Sequence, residues 1–345
     1  MSRDARRPVR GAMLLFVLGL GALVAGLGAP TGRASGSDAE QARSLLERAR
    51  SAALRYDFDA VIVMTWQDGA RSRTRRVEAS ARAGVLRLGD GEVLGDADQR
   101  VVGSDDGWHV LWEGKVAHGG VDPARKYLLR VREDVDWDGR AATRVIAVRR
   151  GHGNPVRERL TFDDETGLLL RRVQFDDDEE VWRDMQVMLA SVPVASTTPH
   201  STDLPGREPR GHAVLSVADV GVDAPRRLGD GFELTGAYRR GSDGMQWYYS
   251  DGLHGISVFE RDGDLAWDEL PEGGRDVAMA GTDAHLYTNA AGTGVVWASD
   301  GRVYTLVSEI PSLEVAGVIA DLADGDEPGM LEEVTRFVTA PFSWS

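Results

Sequence analysis

Between residues 38 and 56 the apolar positions fall three and four apart. Ala42, Leu45, Leu46, Ala49, Ala53 and Tyr56 share one face of the segment DAEQARSLLERARSAALRY, and that spacing predicts an amphipathic α-helix. Ser37 with Glu40 fits a capping box at its start, where hydroxyl and carboxylate each reach an N–H that the helix leaves unpaired. Beyond Tyr56 the period changes. Short apolar runs alternate with Gly- and Asp-rich turns, predicting strands over 60–66, 73–80, 144–150, 157–162, 168–175 and 182–189, with a further hairpin over 100–115. One helix followed by a long antiparallel meander buries its apolar faces most simply as a curved sheet, or half-open barrel, wrapped on the helix.

Residues 193–211 interrupt this pattern with prolines at 193, 199, 205 and 209 among Ser, Thr and Gly, the composition of an extended, protease-accessible linker. A second strand series follows, over 232–240, 245–250, 253–260, 283–289, 294–299 and 302–308, and a final helix fits 312–323. Asp251-Gly252 and Asp300-Gly301 stand where two-residue hairpin turns are expected, because glycine tolerates positive φ. The fold class read from these patterns is α+β and mainly antiparallel β. A helix-wrapped curved sheet or half-open barrel comes first, and a smaller antiparallel sheet with a helix comes second. The domain reading is 35–192, linker 193–211, 212–324 and a tail 325–345 whose aromatics are Phe337, Phe342 and Trp344.

Residues 1–34 read as an export signal. Arg3, Arg6, Arg7 and Arg10 precede an apolar stretch from Ala12 to Leu27, and small residues follow, placing cleavage after Ala34. An uncleaved anchor is the alternative. The expected location is therefore the periplasm or the outer face of the cytoplasmic membrane. The chain has no cysteine, which excludes a lipoprotein anchor, disulfides, zinc–thiolate sites and a cysteine nucleophile. The net charge of −15 becomes −19 when the signal, with five arginines and one aspartate, is removed. Such a chain is repelled by nucleic acid at long range, and no nucleic-acid partner is expected.

Three constellations could carry chemistry. Ser250, Asp251 and His254 lie within five residues, the residue types of a hydrolase triad. No GxSxG elbow accompanies them, and Ser-Asp-Gly is ordinary turn composition, so a structural turn is the expected reading. Asp134, Asp136, Asp138 and Gly139 match the opening of a calcium loop, but the position that must supply a bidentate glutamate is Val145. The run Asp176–Glu180 is a self-repelling acidic loop that prefers solvent. The seven histidines show neither HxH nor HExxH spacing, and the glycines form neither GxGxxG after a strand nor a P-loop. No catalytic residue, metal or cofactor is expected. Composition and spacing lead to a binding protein.

Two blocks resemble one family. Gly231-Phe232-Glu233-Leu234, Tyr249-Ser250-Asp251-Gly252-Leu253, Ile256-Ser257-Val258-Phe259-Glu260 and Val307-Ser308-Glu309-Ile310-Pro311 are similar to the C-terminal domain of the RseB/MucB regulators of envelope-stress anti-sigma factors. Gly139-Arg140 and the run Arg159 to Leu170, with Thr166, Gly167 and Leu168, resemble that family's N-terminal domain, which is like the LolA/LolB lipoprotein carriers. The resemblance spans about residues 38–322. It implies a non-enzymatic regulator that binds the outer domain of a single-pass membrane anti-sigma factor and shields it from proteolysis. It also implies a lipid-type ligand that releases this grip. A lipid or lipoprotein carrier is the alternative, although a carrier needs only the first domain. Trp66, Trp108, Trp112, Tyr127 and Leu129 are the candidate ligand-cavity residues, taken from their strand positions.

Overall fold

The computed structural model describes residues 37–82, 85–88, 91–95, 99–104, 107–113, 121–151, 153–195, 212–215, 224–240, 244–290 and 292–324. The signal segment, residues 196–211 of the linker and the 325–345 tail lie outside them.

The first unit opens with helix α1 (Ser37–Arg55). Strands β1 (Tyr56–Asp68), β2 (Arg71–Arg82), β3 (Val85–Leu88), β4 (Gly91–Gly95), β5 (Gln99–Ser104) and β6 (Gly107–Glu113) follow. A single 3-10 turn at Pro123–Arg125 leads into β7 (Tyr127–Trp137), β8 (Arg140–Arg149), β9 (Val156–Asp163), β10 (Leu169–Phe175), β11 (Val181–Leu189) and β12 (Val194–Ala195). These form one antiparallel sheet in the order β6-β5-β4-β3-β2-β1-β11-β10-β9-β8-β7, with β12 on β1. The sheet is not closed into a barrel. Its inner face follows strict alternation: Phe58, Ala60, Ile62, Met64 and Trp66 are buried along β1, while Asp59, Val61, Val63 and Thr65 are less so. Ala42, Leu45, Leu46 and Ala49 of α1 pack on Tyr127, Leu129, Val145, Ala147, Leu160 and Phe162 of β7–β9. The Leu, Val and Phe side chains among them contribute about 1.5–3 kcal/mol each on burial, and in a chain without cysteine this packing is what holds the unit together.

The second unit comprises β13 (His212–Leu215), β14 (Arg227–Leu228), β15 (Phe232–Arg240), β16 (Gly244–Ser250), β17 (Gly255–Asp262), β18 (Arg275–Met279), β19 (Thr282–Asn289), β20 (Gly292–Ser299), β21 (Arg302–Ser308) and helix α2 (Ser312–Asp324). Its sheet runs β13-β15-β16-β17-β21-β20-β19-β18, with β14 on β15. Val315, Val318 and Ile319 of α2 close a core of Phe232, Trp247, Tyr249, Ile256, Val258, Val295, Trp297 and Leu306.

Most predicted elements stand within a few residues of their observed bounds, and the α+β reading holds. Seven observed strands fall outside the predicted ranges: β3, β4, β7, β12, β13, β14 and β18. Turn geometry divides the Asp-Gly pairs at 138–139, 251–252 and 300–301. Asp300 and Gly301, with φ of 51° and 74°, form the expected two-residue turn between β20 and β21. Asp138 and Gly139 (φ 53° and 76°) do the same between β7 and β8, and Asp134 (φ 55°) lies in a bulge where the β7–β8 register shifts. The calcium-like stretch is thus a bulge and a turn, and Val145 is fully buried against α1. Asp251-Gly252 is different. Strand β16 ends at Ser250 and β17 begins at Gly255, so the connection is a four-residue loop, longer than the two-residue turn expected. That loop docks into the other unit.

Candidate functional site

The loop Asp251–His254 projects from the second sheet into the first unit. Leu253 is fully buried in the cluster formed by α1 and β7–β9. Gly252 carries φ +94°, and a Cβ there would lie 2.6 Å from the Pro123 nitrogen and 2.6 Å from the Val121 carbonyl oxygen. Only glycine allows so close a backbone approach at that φ. At the other contact, Ala290 from the β19–β20 connection joins the apolar strip under β1 and β2, with Ala52, Phe58, Ile62, Met64, Val77 and Ala79.

Around the loop lies a buried polar cluster drawn from both units. Asp251 is fully buried. Its Oδ2 accepts from Lys126 Nζ at 2.8 Å and from the Tyr127 hydroxyl at 2.5 Å. Its Oδ1 accepts the backbone N–H groups of Leu253 (3.0 Å) and His254 (2.8 Å). Burial alone would raise this carboxyl, but Lys126 and His254 hold it well below the usual carboxylate range. Burial and the Asp251 charge push the Tyr127 hydroxyl well above its ordinary value, so it is a donor at every physiological pH. The His254 ring has Nδ1 3.4 Å from Asp251 and 3.2 Å from the Tyr127 hydroxyl, and Nε2 3.6 Å from Glu158. Burial opposes its charge, yet Glu158 and Asp251 together leave its pKa raised.

Arg172 ties the cluster together. Its Nε donates to Glu158, its Nη1 to Glu309 at 2.9 Å, and its Nη2 to the Leu253 carbonyl at 2.9 Å. Arg172 and both carboxylates are at most 1% exposed, and burial, which would lower the guanidinium, is overcome by Glu158 and Glu309. Gln174 donates to the Glu309 carbonyl (3.1 Å), and Glu309 Oε2 accepts the Gly255 N–H (3.3 Å). Next to it, burial pulls the Arg183 guanidinium down to about 10, Glu309 opposing and Arg172 reinforcing the shift. Arg183 Nε and Nη2 and the neighbouring Trp66 Nε1 are buried donors that meet no acceptor among the described residues. Arg183 and Trp66 are cross-strand partners. The rim adds pairs of Arg157 with Glu314, Arg149 with Asp230, and Arg125 with Glu233 (3.0 Å).

The Ser250-Asp251-His254 constellation is therefore a joint. Ser250 Oγ donates to the His254 carbonyl (3.0 Å) and accepts the Gly252 N–H (3.0 Å), while the imidazole turns to Asp251, Tyr127 and Glu158. A triad would need the serine hydroxyl on the imidazole.

The residues that carry the resemblance make turns and packing contacts. Gly231 (φ +88°) turns the chain ahead of Phe232, whose ring lies under Lys126 Nζ at 4.5 Å. Tyr249 is fully buried, and Phe259 packs against Tyr287, Val296 and Val303. In the β9–β10 turn Asp163 Oδ1 accepts both the N–H and the hydroxyl of Thr166 at 2.8 Å, Gly167 has φ +76° against Arg48, and Leu168 enters the strip under β1.

Of the candidate cavity residues, Trp66 is on the inner face of β1, Tyr127 in the joint and Leu129 under α1. Trp108 and Trp112 are on β6, with side chains outside the described residues. Among the described residues, open pockets flank the first sheet. One of about 360 Å³ is lined by Gln41, Arg48, Glu133 and Asp164, and one of about 250 Å³ by Trp137, Arg140, Val187 and Val192; neither is lined by Trp66, Tyr127 or Leu129. No group of three metal-ligating side chains occurs among the described residues, and no described helix is long and apolar enough to cross a membrane.

Several solved structures are similar to this chain, three of them of MucB. A MucB in complex with the periplasmic part of MucA is 20% identical, covering 80% of this chain and 96% of that one, with a TM-score of 0.41. The Pseudomonas aeruginosa MucA/MucB complex is 19% identical, over 82% and 97%, with a TM-score of 0.42. MucB alone is 18% identical, over 81% and 97%, with a TM-score of 0.43. No family model matches the sequence, and no curated protein matches it.

Proposed function

We propose that this protein is a non-enzymatic negative regulator of an envelope-stress sigma factor. It binds the extracytoplasmic domain of a single-pass membrane anti-sigma factor and shields it from proteolysis. The observation that carries this reading is the joint. The residues through which the sequence resembles the RseB/MucB regulators, Tyr249 to Leu253 and Val307 to Pro311, are those that clamp the second sheet onto the first through Asp251, Leu253 and Glu309. A carrier would need the first unit alone. A chain that invests a buried ionic cluster in fixing a second unit presents one continuous surface from both, as a protein-binding scaffold requires.

A lipid-type ligand fits the release step. The strip under β1 and β2 is apolar, and beside it Trp66 and Arg183 hold three buried donors without acceptors among the described residues. An acyl chain gains by burial against the strip, and an anionic headgroup would satisfy the donors. Ala290 of the second unit packs into that strip, so a ligand that enters the strip competes with the closed joint. That difference in affinity between two states is what a switch needs.

The test is a pull-down from solubilised membranes with the tagged chain. Recovery of a single-pass anti-sigma protein, with raised stress-sigma activity on deletion, supports the regulator. Recovery of lipid alone, with unchanged sigma activity on deletion, supports the carrier instead.

A further inference from the structure

The outer face of the first sheet concentrates positive charge on an otherwise acidic chain. The antiparallel register places Arg132, Arg144, Thr161, Arg171, Gln186, Val63 and Arg76 in one row across β7, β8, β9, β10, β11, β1 and β2. The neighbouring row carries Arg130, Ile146 and Arg159. At about 4.8 Å per strand, the first row spans roughly 29 Å. Arg76, Arg130, Arg132 and Arg159 are exposed and Arg144 is half-exposed. Among the described residues no ion pair joins Arg76, Arg130, Arg132, Arg144 or Arg159 to a carboxylate. Arg171 shows what the face can hold, since it grips Asp184 with two parallel bonds of 2.9 and 2.7 Å.

We propose that this arginine face is a docking surface for an extended acidic segment of a partner protein. Several observations fix the occupant. The arginines stand in rows across the outer face of the sheet, so the surface suits a strand-like chain with repeated carboxylates more than a single headgroup. Planar guanidinium forks match carboxylates in pairs, as Arg171 and Asp184 already do. The net charge of −15 repels extended polyanions such as nucleic acid or an anionic membrane, while a short acidic segment meets only the local arginines. A second copy of the chain is a poor occupant, because its most acidic loop is engaged: Asp177 binds Arg149 and Arg157, and Glu179 accepts the Val156 N–H. The arginines also repel one another. Burial lowers the Arg144 pKa, and Arg171, Arg159 and Arg132 lower it further. An anionic ligand relieves that repulsion, which the rest of the fold leaves in place.

The probe is fluorescein-labelled deca-glutamate, titrated with the full chain at low salt and read by anisotropy. Binding is expected, weakening as salt rises. Replacing Arg130, Arg132, Arg144 and Arg159 together by Gln should weaken it at least about tenfold, the sum of several modest exposed ion pairs. The pair Arg130→Gln/Arg132→Gln, on the edge strand, serves where the fourfold variant unfolds, and should weaken it about threefold. Equal affinity for wild type and folded variant overturns the proposal. So does arginine-dependent binding to phosphatidylglycerol vesicles without peptide binding, and so does arginine-dependent self-association in the ultracentrifuge.

Discussion

Replacing Gly252 by Ala drives a wedge between the two units. A Cβ at this position would sit 2.6 Å from two backbone atoms and 2.8 Å from a third, the Pro123 Cα. Ordinary contact begins near 3.4 Å, so the loop and the Val121–Pro123 segment must part by about 0.8 Å. The obstructing atoms are backbone, and no side-chain rotation relieves them. Alanine at φ +94° adds its own strain of about 1–2 kcal/mol, and overpacking of this kind costs about 1–3 kcal/mol. The expected loss is roughly 2–5 kcal/mol. Gly301→Ala is the control, because Gly301 also has positive φ (+74°) but faces open space. It should lose the conformational part alone, about 1–2 kcal/mol. Urea unfolding followed by tryptophan fluorescence measures both. The clash should appear as an excess loss of about 1–3 kcal/mol in Gly252→Ala, or as two separate transitions if the joint opens before the units unfold. If Gly252→Ala is no less stable than Gly301→Ala, the docked loop is not a structural joint.

Two further outcomes follow from the same cluster. His254 has a folded pKa raised above its ordinary 6.5, so the stability it contributes is fully present below about pH 6.5 and is lost as pH rises through the folded value. The stability difference between wild type and His254→Gln should shrink over that window when measured by chemical denaturation at a series of pH values. Ser250→Ala removes the bonds to the His254 carbonyl and the Gly252 N–H. It should cost about 1–3 kcal/mol of stability while leaving partner binding by the folded protein unchanged.

The sequence carried the fold where side-chain period and burial agree. Helix α1 and β1 bury one face and show the matching period, while β16, β17, β20 and β21 are buried on both faces and show as apolar runs bounded by turn residues. Strand β7 was obscured because its distal half, Arg132 to Trp137, is exposed and charged around the bulge at Asp134. Strand β18 lies at a sheet edge with only Val277 and Met279 half-buried, too short an alternation to mark it. The joint was legible only in part. Asp251-Gly252 looked like an ordinary hairpin turn, and nothing local says that the loop leaves its own sheet to enter another unit. One signal was present. Leu170, Arg172 and Gln174 share the inward parity of β10, and a charged side chain at that parity needs a buried partner. Its partners are Glu158 on the adjacent strand and Glu309 some 137 residues away, and the latter pairing exists only once the two units dock.

The central claim is tested most directly by protease protection. The extracytoplasmic domain of the single-pass anti-sigma protein recovered from the same cells is incubated with its initiating protease, with and without this chain, and its cleavage rate is followed. The account predicts that the chain slows cleavage in proportion to its occupancy, and that the Gly252→Ala joint variant protects less than wild type at equal concentration. Unchanged cleavage at saturating protein would contradict it.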